Sequence, residues 1–419
     1  MKVSKPPMNC RRLYVAFAVA HLCVAAAQSA DEPPADTSPP SQAIIDLGIE
    51  PVPIITKPGK QYTNAELDYA MVIGIDRTPK GRLWAAWVAG GDSEKGFFCA
   101  ATSDDDGRTW SEPRLVIDPV DAPNGLARRA LVGNFWTDPT GRLWLFYDQS
   151  LGYFDGRAGV WAIICDNPDA DEPTWSKPRR LANGATLNKP VVLKSGAWLL
   201  PVSLWPRDKI KPASLGELFH DLDAERMAHI YESTDQGKTW TRRGGALFPK
   251  SQFDEHMFVE LKDGRLWMLA RTNYGIAESF SADEGRTWSE PQASKIGHTS
   301  ARFHLRRLAS GRLLLVKHGK IEERTPKRSH LTAYVSDDEG RTWRGGLMLD
   351  ERTGVSYPDG FQHPDGTYYI IYDHNRASDR EILLARFTED DVLAGKFQSP
   401  RSAERNMVHK ALGGLKTAK

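Results

Sequence analysis

Arginine, carboxylate, tyrosine and histidine side chains recur on both sides of six glycine turns in this 419-residue chain. Ahead of the turns stand Glu66 and Asp68, Arg128 and Arg129, Asn188 and Lys189, Asp254, Glu255 and His256, Arg302 and His304, and Tyr357 and Asp359. Beyond the apolar run that follows each turn stand Asp92 and Glu94, Asp148, Arg271, His318 and Arg328, and Asp373, His374 and Arg376. Ionisable groups do not crowd a narrow space without a reason. Part of such a set forms a salt-bridged plug. Guanidinium groups, carboxyl groups and a phenol converging from separate segments also make a site for an anion or a sugar. Any single His in the set is more often hydrogen-bonded structure than catalyst.

Convergence of this kind needs a ring of repeated elements. A glycine turn leading into an apolar strand reads GRLWAAW from Gly81, GRLWLFY from Gly141, GAWLLPV from Gly196, GRLWMLA from Gly264, GRLLLVK from Gly311 and GTYYIIY from Gly366. The six copies lie 47 to 68 residues apart, the repeat length of a four-stranded propeller blade. The expected fold is therefore all-β, a six-bladed β-propeller of four-stranded antiparallel blades spanning residues 42–391. The first strand of each blade would line the axis, which brings the polar entries above to one end of a central channel.

A second repeat follows the first in register: SDDDGRTW at 103–110, STDQGKTW at 233–240, SADEGRTW at 281–288 and SDDEGRTW at 336–343, with a degraded copy, CDNPDADEPTW, at 165–175. Asp105, Asp235, Asp283 and Asp338 would accept backbone N–H bonds in the turn between the third and fourth strands, and the glycine would permit positive φ. The spacing lacks the ligand ladder of an EF-hand, so these turns read as structure. The pattern resembles the Asp box of sialidase-like propellers.

The resemblance to bacterial sialidases covers roughly residues 60–390 and is densest in the last three blades. Glu255 is followed sixteen residues later by Arg271, Arg328 lies eight residues before Ser336 of the last Asp box, and Tyr357 lies nine residues before Gly366. In these positions the resemblance implies a nucleophilic Tyr357, Glu255 as the base that takes its proton, and Arg271 and Arg328 as binders of a substrate carboxylate. Asp92, eleven residues before the first Asp box, corresponds to the family's acid/base, with Glu94 as the alternative. The first blade departs from the pattern. Where sialidases place a third carboxylate-binding Arg, this chain reads ELDYAMVIGI, and Ala70 or Met71 takes the position. Arg302, and Arg129 or its neighbour Arg128, are candidates to compensate. Asp68 and Glu66 bring acids to the same blade, and His374 is a further sugar-contacting candidate. The implied function is a secreted exo-glycosidase that hydrolyses a terminal, acidic sugar, with no metal or organic cofactor. Rival classes on the same scaffold are a polysaccharide lyase acting at a uronate and a non-catalytic carbohydrate-binding propeller.

Bulk properties agree with a secreted or periplasmic globular protein. The net charge of +1 offers no excess for nucleic acid or an anionic membrane, and 13 Trp suit a β-rich core or a carbohydrate site. Residues 1–30 carry a basic start, the apolar run Leu13 to Ala27 and small residues up to Ala30, the layout of a secretory signal peptide rather than a stable membrane anchor. Residues 31–41 read as a disordered linker and 392–419 as a polar tail. Closure of the ring is assigned to residues 44–55, which would supply the last strand. The insertion at 206–228 would form a rim or lid beside the site. Cys99 and Cys165 read as two buried free thiols rather than a disulfide.

Overall fold

The computed structural model describes residues 40–119 and 127–414. The expected leader and most of the linker lie outside these. Six antiparallel sheets form, one per repeat, and five have four strands. Each blade begins with a strand ahead of its glycine turn: Met71–Arg77, Arg128–Thr137, Val191–Val192, Met257–Glu260, His304–Arg307 and Val355–Gln362. The strands after the turns, such as Leu83–Ala89 and Leu143–Leu151, are buried along their whole length. They lie in the middle of their blades, and the neighbouring blades cover both faces.

The Asp boxes close the outer hairpins as their composition dictates. Asp283 Oδ1 accepts from the Ser281 hydroxyl at 2.8 Å and from the N–H groups of Arg286 and Thr287 at 3.0 and 2.9 Å. Gly285 has φ +93°, open to glycine and strained for other residues. Asn167 takes the part of the Asp in the degraded copy, accepting from Thr174 N at 2.8 Å. Cys99 and Cys165 are buried and free.

Ring closure differs from the expectation. Residues 44–55 do not supply the last strand. Gln42–Gly48 is a helix, and Ile54–Ile55 adds a fifth strand outside Leu115–Ile117 of the first blade. The last blade is completed by Ala403–Lys410, which pairs with Glu381–Phe387. The segment read as a polar tail is thus an outermost strand. Its side chains are mostly half-exposed or exposed, so it carries little of the apolar alternation by which a strand is recognised.

Beneath the channel mouth lies the salt-bridged plug. Asp359 accepts from Lys189 Nζ at 2.8 Å, Asn134 Nδ2 at 2.9 Å and Arg302 Nη2 at 3.3 Å. Burial opposes its charge, but Lys189 and Arg302 outweigh it and bring the carboxyl to about 2. Among the described residues no helix is long and apolar enough to cross a membrane, and no group of three or more His, Cys, Asp or Glu is placed to hold a metal ion.

Candidate active site

Tyr357 reaches the channel because its strand is interrupted there. Ser356 pairs with Asp373, but the next pair is Asp359 with Ile371, so a bulge falls on Tyr357 and Pro358. Pro358 has no N–H to give to a ladder, and a bulge re-aims a side chain. Tyr357 adopts φ +55°, and across the mouth Asp254 and Glu255 adopt φ +50° and +46°. Left-handed backbone at non-glycine residues stores strain of order 1 kcal/mol or more each and concentrates at functional sites.

The two strained turns bring their side chains together. The Tyr357 hydroxyl donates to Glu255 Oε1 at 2.7 Å, and Arg271 Nη1 donates to the same oxygen at 2.8 Å. Glu255 is 3 % exposed and its Oε2 has no hydrogen-bond partner within the protein. Arg271 Nε also donates to Ser300 Oγ at 3.1 Å. Arg328 donates to Ser356 Oγ at 2.8 Å and to the Ser300 carbonyl at 3.3 Å, and among the described residues no carboxylate pairs with it. Arg376 lies over the phenol ring, its Cζ 4.1 Å from the ring centroid, while Arg328 Cζ stands at 5.5 Å.

These side chains line one cavity of about 140 Å³, with Met71, Leu131, Val132, Leu187, Trp205 and Phe253 as its apolar wall. Three guanidinium groups face two carboxyl groups there, Glu255 and Asp92. Asp92, Tyr153 and Phe253 also line an adjoining cleft of about 690 Å³, whose far side is Asp208, Lys209 and Lys211 of the 206–228 insertion. The insertion is a rim, as expected. Asp92 is exposed at the junction, with Oδ1 3.5 Å from the Tyr153 hydroxyl and Oδ2 3.8 Å from Arg376 Nη1. Glu94 lines only the cleft. A separate concavity of about 1130 Å³ lies between blades four and five against an Asp box and holds none of these groups.

Burial raises the charge cost of the Glu255 carboxyl, but Arg271, the Tyr357 hydroxyl and Arg328 more than offset it, leaving its pKa below the ordinary range. Burial, and then the Glu255 charge, push the Tyr357 phenol up to about 12 against the pull of Arg271, Arg376 and Arg328. The resting pair is a neutral phenol donating to a carboxylate.

Four residues expected at the substrate do not reach the cavity wall. Arg302 is buried in the plug, donating to Asn188 Oδ1, the carbonyls of Ile73 and Leu187, and Asp359. Arg129 is buried against Asp148 and the Tyr153 carbonyl. Asp68 is exposed, ahead of the first strand of its blade. His374 is paired with Glu381 at 3.0 Å. The first two are structural cations because their guanidinium donors already have carbonyl and carboxylate acceptors. Tyr357, Glu255, Arg271, Arg328 and Asp92 do line the cavity; Arg376, named among the converging polar groups without a role of its own, joins them, as do Tyr153, Trp205 and Phe253, which were not singled out. Arg376 had a legible signal, since it stands just after the second strand of its blade, as Arg271 stands at the end of its own. The aromatic wall had none.

Residues 81–370 match the family described as BNR repeat-like domain. No curated protein sequence matches the chain significantly. Among solved structures, a Hadza microbial sialidase is similar at TM-score 0.55 and 19% identity, over 74% of this chain and 64% of that one. The intramolecular trans-sialidase from Ruminococcus gnavus in complex with oseltamivir carboxylate is similar at TM-score 0.59 and 15% identity, over 80% and 97% of the two chains. A leech intramolecular trans-sialidase complexed with 2,7-anhydro-Neu5Ac is similar at TM-score 0.60 and 14% identity, over 80% and 70%. At these identities the likeness is one of fold. The match over residues 81–370, together with six four-stranded blades, makes this chain a divergent member of the sialidase-like BNR repeat propellers.

Proposed function

We propose that the protein is an exported exo-glycosidase of the sialidase type that hydrolyses a terminal acidic sugar. The observation that carries this reading is the bond from the Tyr357 hydroxyl to Glu255, flanked by arginines in a single cavity. The basic and apolar leader supports export, and the sialidases of the same fold support the substrate class.

A phenol at about 12 is a weak nucleophile unless its proton leaves during attack. Each pKa step between the phenol and the carboxyl costs about 1.4 kcal/mol, so complete transfer to Glu255 before attack is expensive. The proton passes along the 2.7 Å bond as the oxygen approaches the anomeric carbon. A neutral phenol can approach an anomeric centre that bears a carboxylate, where a carboxylate nucleophile would be repelled. Arg328, lacking a carboxylate partner, and Arg271, which shares Glu255, hold the substrate's anionic group through charge-assisted hydrogen bonds. Asp92, at the junction of cavity and cleft, protonates the departing oxygen while the rest of the glycan occupies the cleft. It then activates the water that releases the sugar from Tyr357 with net retention.

The test is product analysis on sialylated, uronate-containing and plant glycans. A free terminal acidic sugar with retained anomeric configuration is expected. An unsaturated, ultraviolet-absorbing product would identify a lyase, and binding without any product would identify a lectin; either rejects the proposal.

A further inference from the structure

We infer that Arg376 is the third anion-binding group of this site, supplied by the last blade at the place where the first blade lacks an arginine. The inference rests on the glycosidase reading and refines its substrate to a planar carboxylate held by three guanidinium groups.

The backbone puts Arg376 at the first blade. The Ala70 N–H donates to the Arg376 carbonyl at 3.0 Å, which ties the turn after strand Tyr368–His374 to the entry of strand Met71–Arg77. The side chain then runs to Met71, whose Sδ lies 2.9 Å from Nη1. Met71 and the Arg376 fork therefore share one volume, and an arginine at 71 would exclude Arg376 from it.

The fork is fixed from behind and open in front. Nε donates to both oxygens of Asp373 at 3.1 Å, and Asp373, fully buried, also accepts from Val72 N at 3.1 Å. The Tyr357 ring covers one face at 4.1 Å. The outer nitrogens have weak partners: Nη1 has the Met71 thioether and, at 3.8 Å, Asp92 Oδ2, while Nη2 has Ser356 Oγ at 3.3 Å, and the Tyr69 hydroxyl stands beside the group. A guanidinium carries five N–H donors, so the outer edge retains donors toward the cavity it lines. Ser356 Oγ accepts from Arg376 and also from Arg328 Nη1 at 2.8 Å, which sets those two forks side by side. Asp373 is a positioning residue that neutralises Arg376 from outside the cavity, and the one cavity carboxylate near the fork, Asp92, stands at 3.8 Å, beyond direct hydrogen-bond distance.

The probes are oseltamivir carboxylate and its ethyl ester, which keeps the ammonium group and lacks the carboxylate charge, titrated calorimetrically against the full chain. The wild type is expected to prefer the acid. Arg376→Met is expected to lower acid affinity on the order of 30-fold or more while leaving ester affinity nearly unchanged, because only the acid offers an anion to the fork. Arg376→Lys keeps Asp373 paired if the Met variant fails to fold, and is expected to lose about tenfold for the acid, since a point charge cannot bind both oxygens. The exchange Arg376→Met with Met71→Arg should recover acid affinity to within about tenfold of wild type. A folded Met or Lys variant with the wild-type preference for the acid overturns the inference, as does a folded exchange variant with no recovery. A wild type that binds neither probe overturns the glycosidase reading instead, and the inference with it.

Discussion

The Tyr357 hydroxyl and the Glu255 carboxylate meet at 2.7 Å although 102 residues separate them, and each sits on left-handed backbone. A strained residue at both ends of one hydrogen bond shows that the ring, and not the local sequence, holds the contact. The surrounding blades must over-determine these two turns for the strain to persist.

Removing the phenol hydroxyl tests the chemistry directly. Tyr357→Phe should lower kcat by orders of magnitude and leave KM for a cleaved glycan within a few-fold, because the lost group acts in the reaction and the anion clamp is intact. Glu255→Gln should cost about 10²- to 10⁴-fold in kcat, the usual worth of a positioned base. Steady-state kinetics on the released sugar reads both. Normal turnover in Tyr357→Phe rejects the mechanism.

Asp254 gives a pH-dependent stability prediction. Burial raises its carboxyl from 3.8 to about 6. The folded state therefore holds the proton more tightly than the unfolded state. The stabilisation from this group is complete below pH 3.8 and is lost as the pH rises through about 6. Asn keeps an acceptor for Ser203 Oγ, which donates to Asp254 at 2.9 Å, and tolerates φ +50°. Asp254→Asn should gain about 1–3 kcal/mol in urea unfolding at pH 7.5 and nothing below pH 4.

The Asp boxes should affect stability without affecting chemistry. Asp283→Ala removes a carboxylate that takes N–H and hydroxyl hydrogen bonds from Thr287 at 2.9 and 2.7 Å. The expected cost is about 1–3 kcal/mol, read as a lower urea midpoint, with specific activity of the folded enzyme unchanged. A fall in activity per folded molecule would give this turn a part in the site.

A chain ending at Ser402 tests ring closure. It lacks Ala403–Lys410 and leaves Glu381–Phe387 as an open edge in the blade that carries Tyr357. Open edges recruit other chains, so the truncated protein should aggregate on expression, as seen by size-exclusion chromatography. A monomeric, active truncation would show that this strand is dispensable.

The sequence by itself determined the ring: the glycine turns and Asp boxes are local signals, because a positive φ and an acceptor for turn N–H groups are demanded within eight residues. It also carried the spacing of Glu255, Arg271, Arg328 and Tyr357, since each sits a fixed distance from such a turn. Tertiary structure alone decided which cations face the cavity. Arg302 and Arg129 are consumed by carboxylate and carbonyl acceptors, whereas the fork of Arg376 is gripped by Asp373 on one side and meets only Met71 and the more distant Asp92 on the other. It also decided that residues 403–410 close the ring. An outermost strand faces water on one side and needs no apolar pattern to be held by its backbone hydrogen bonds.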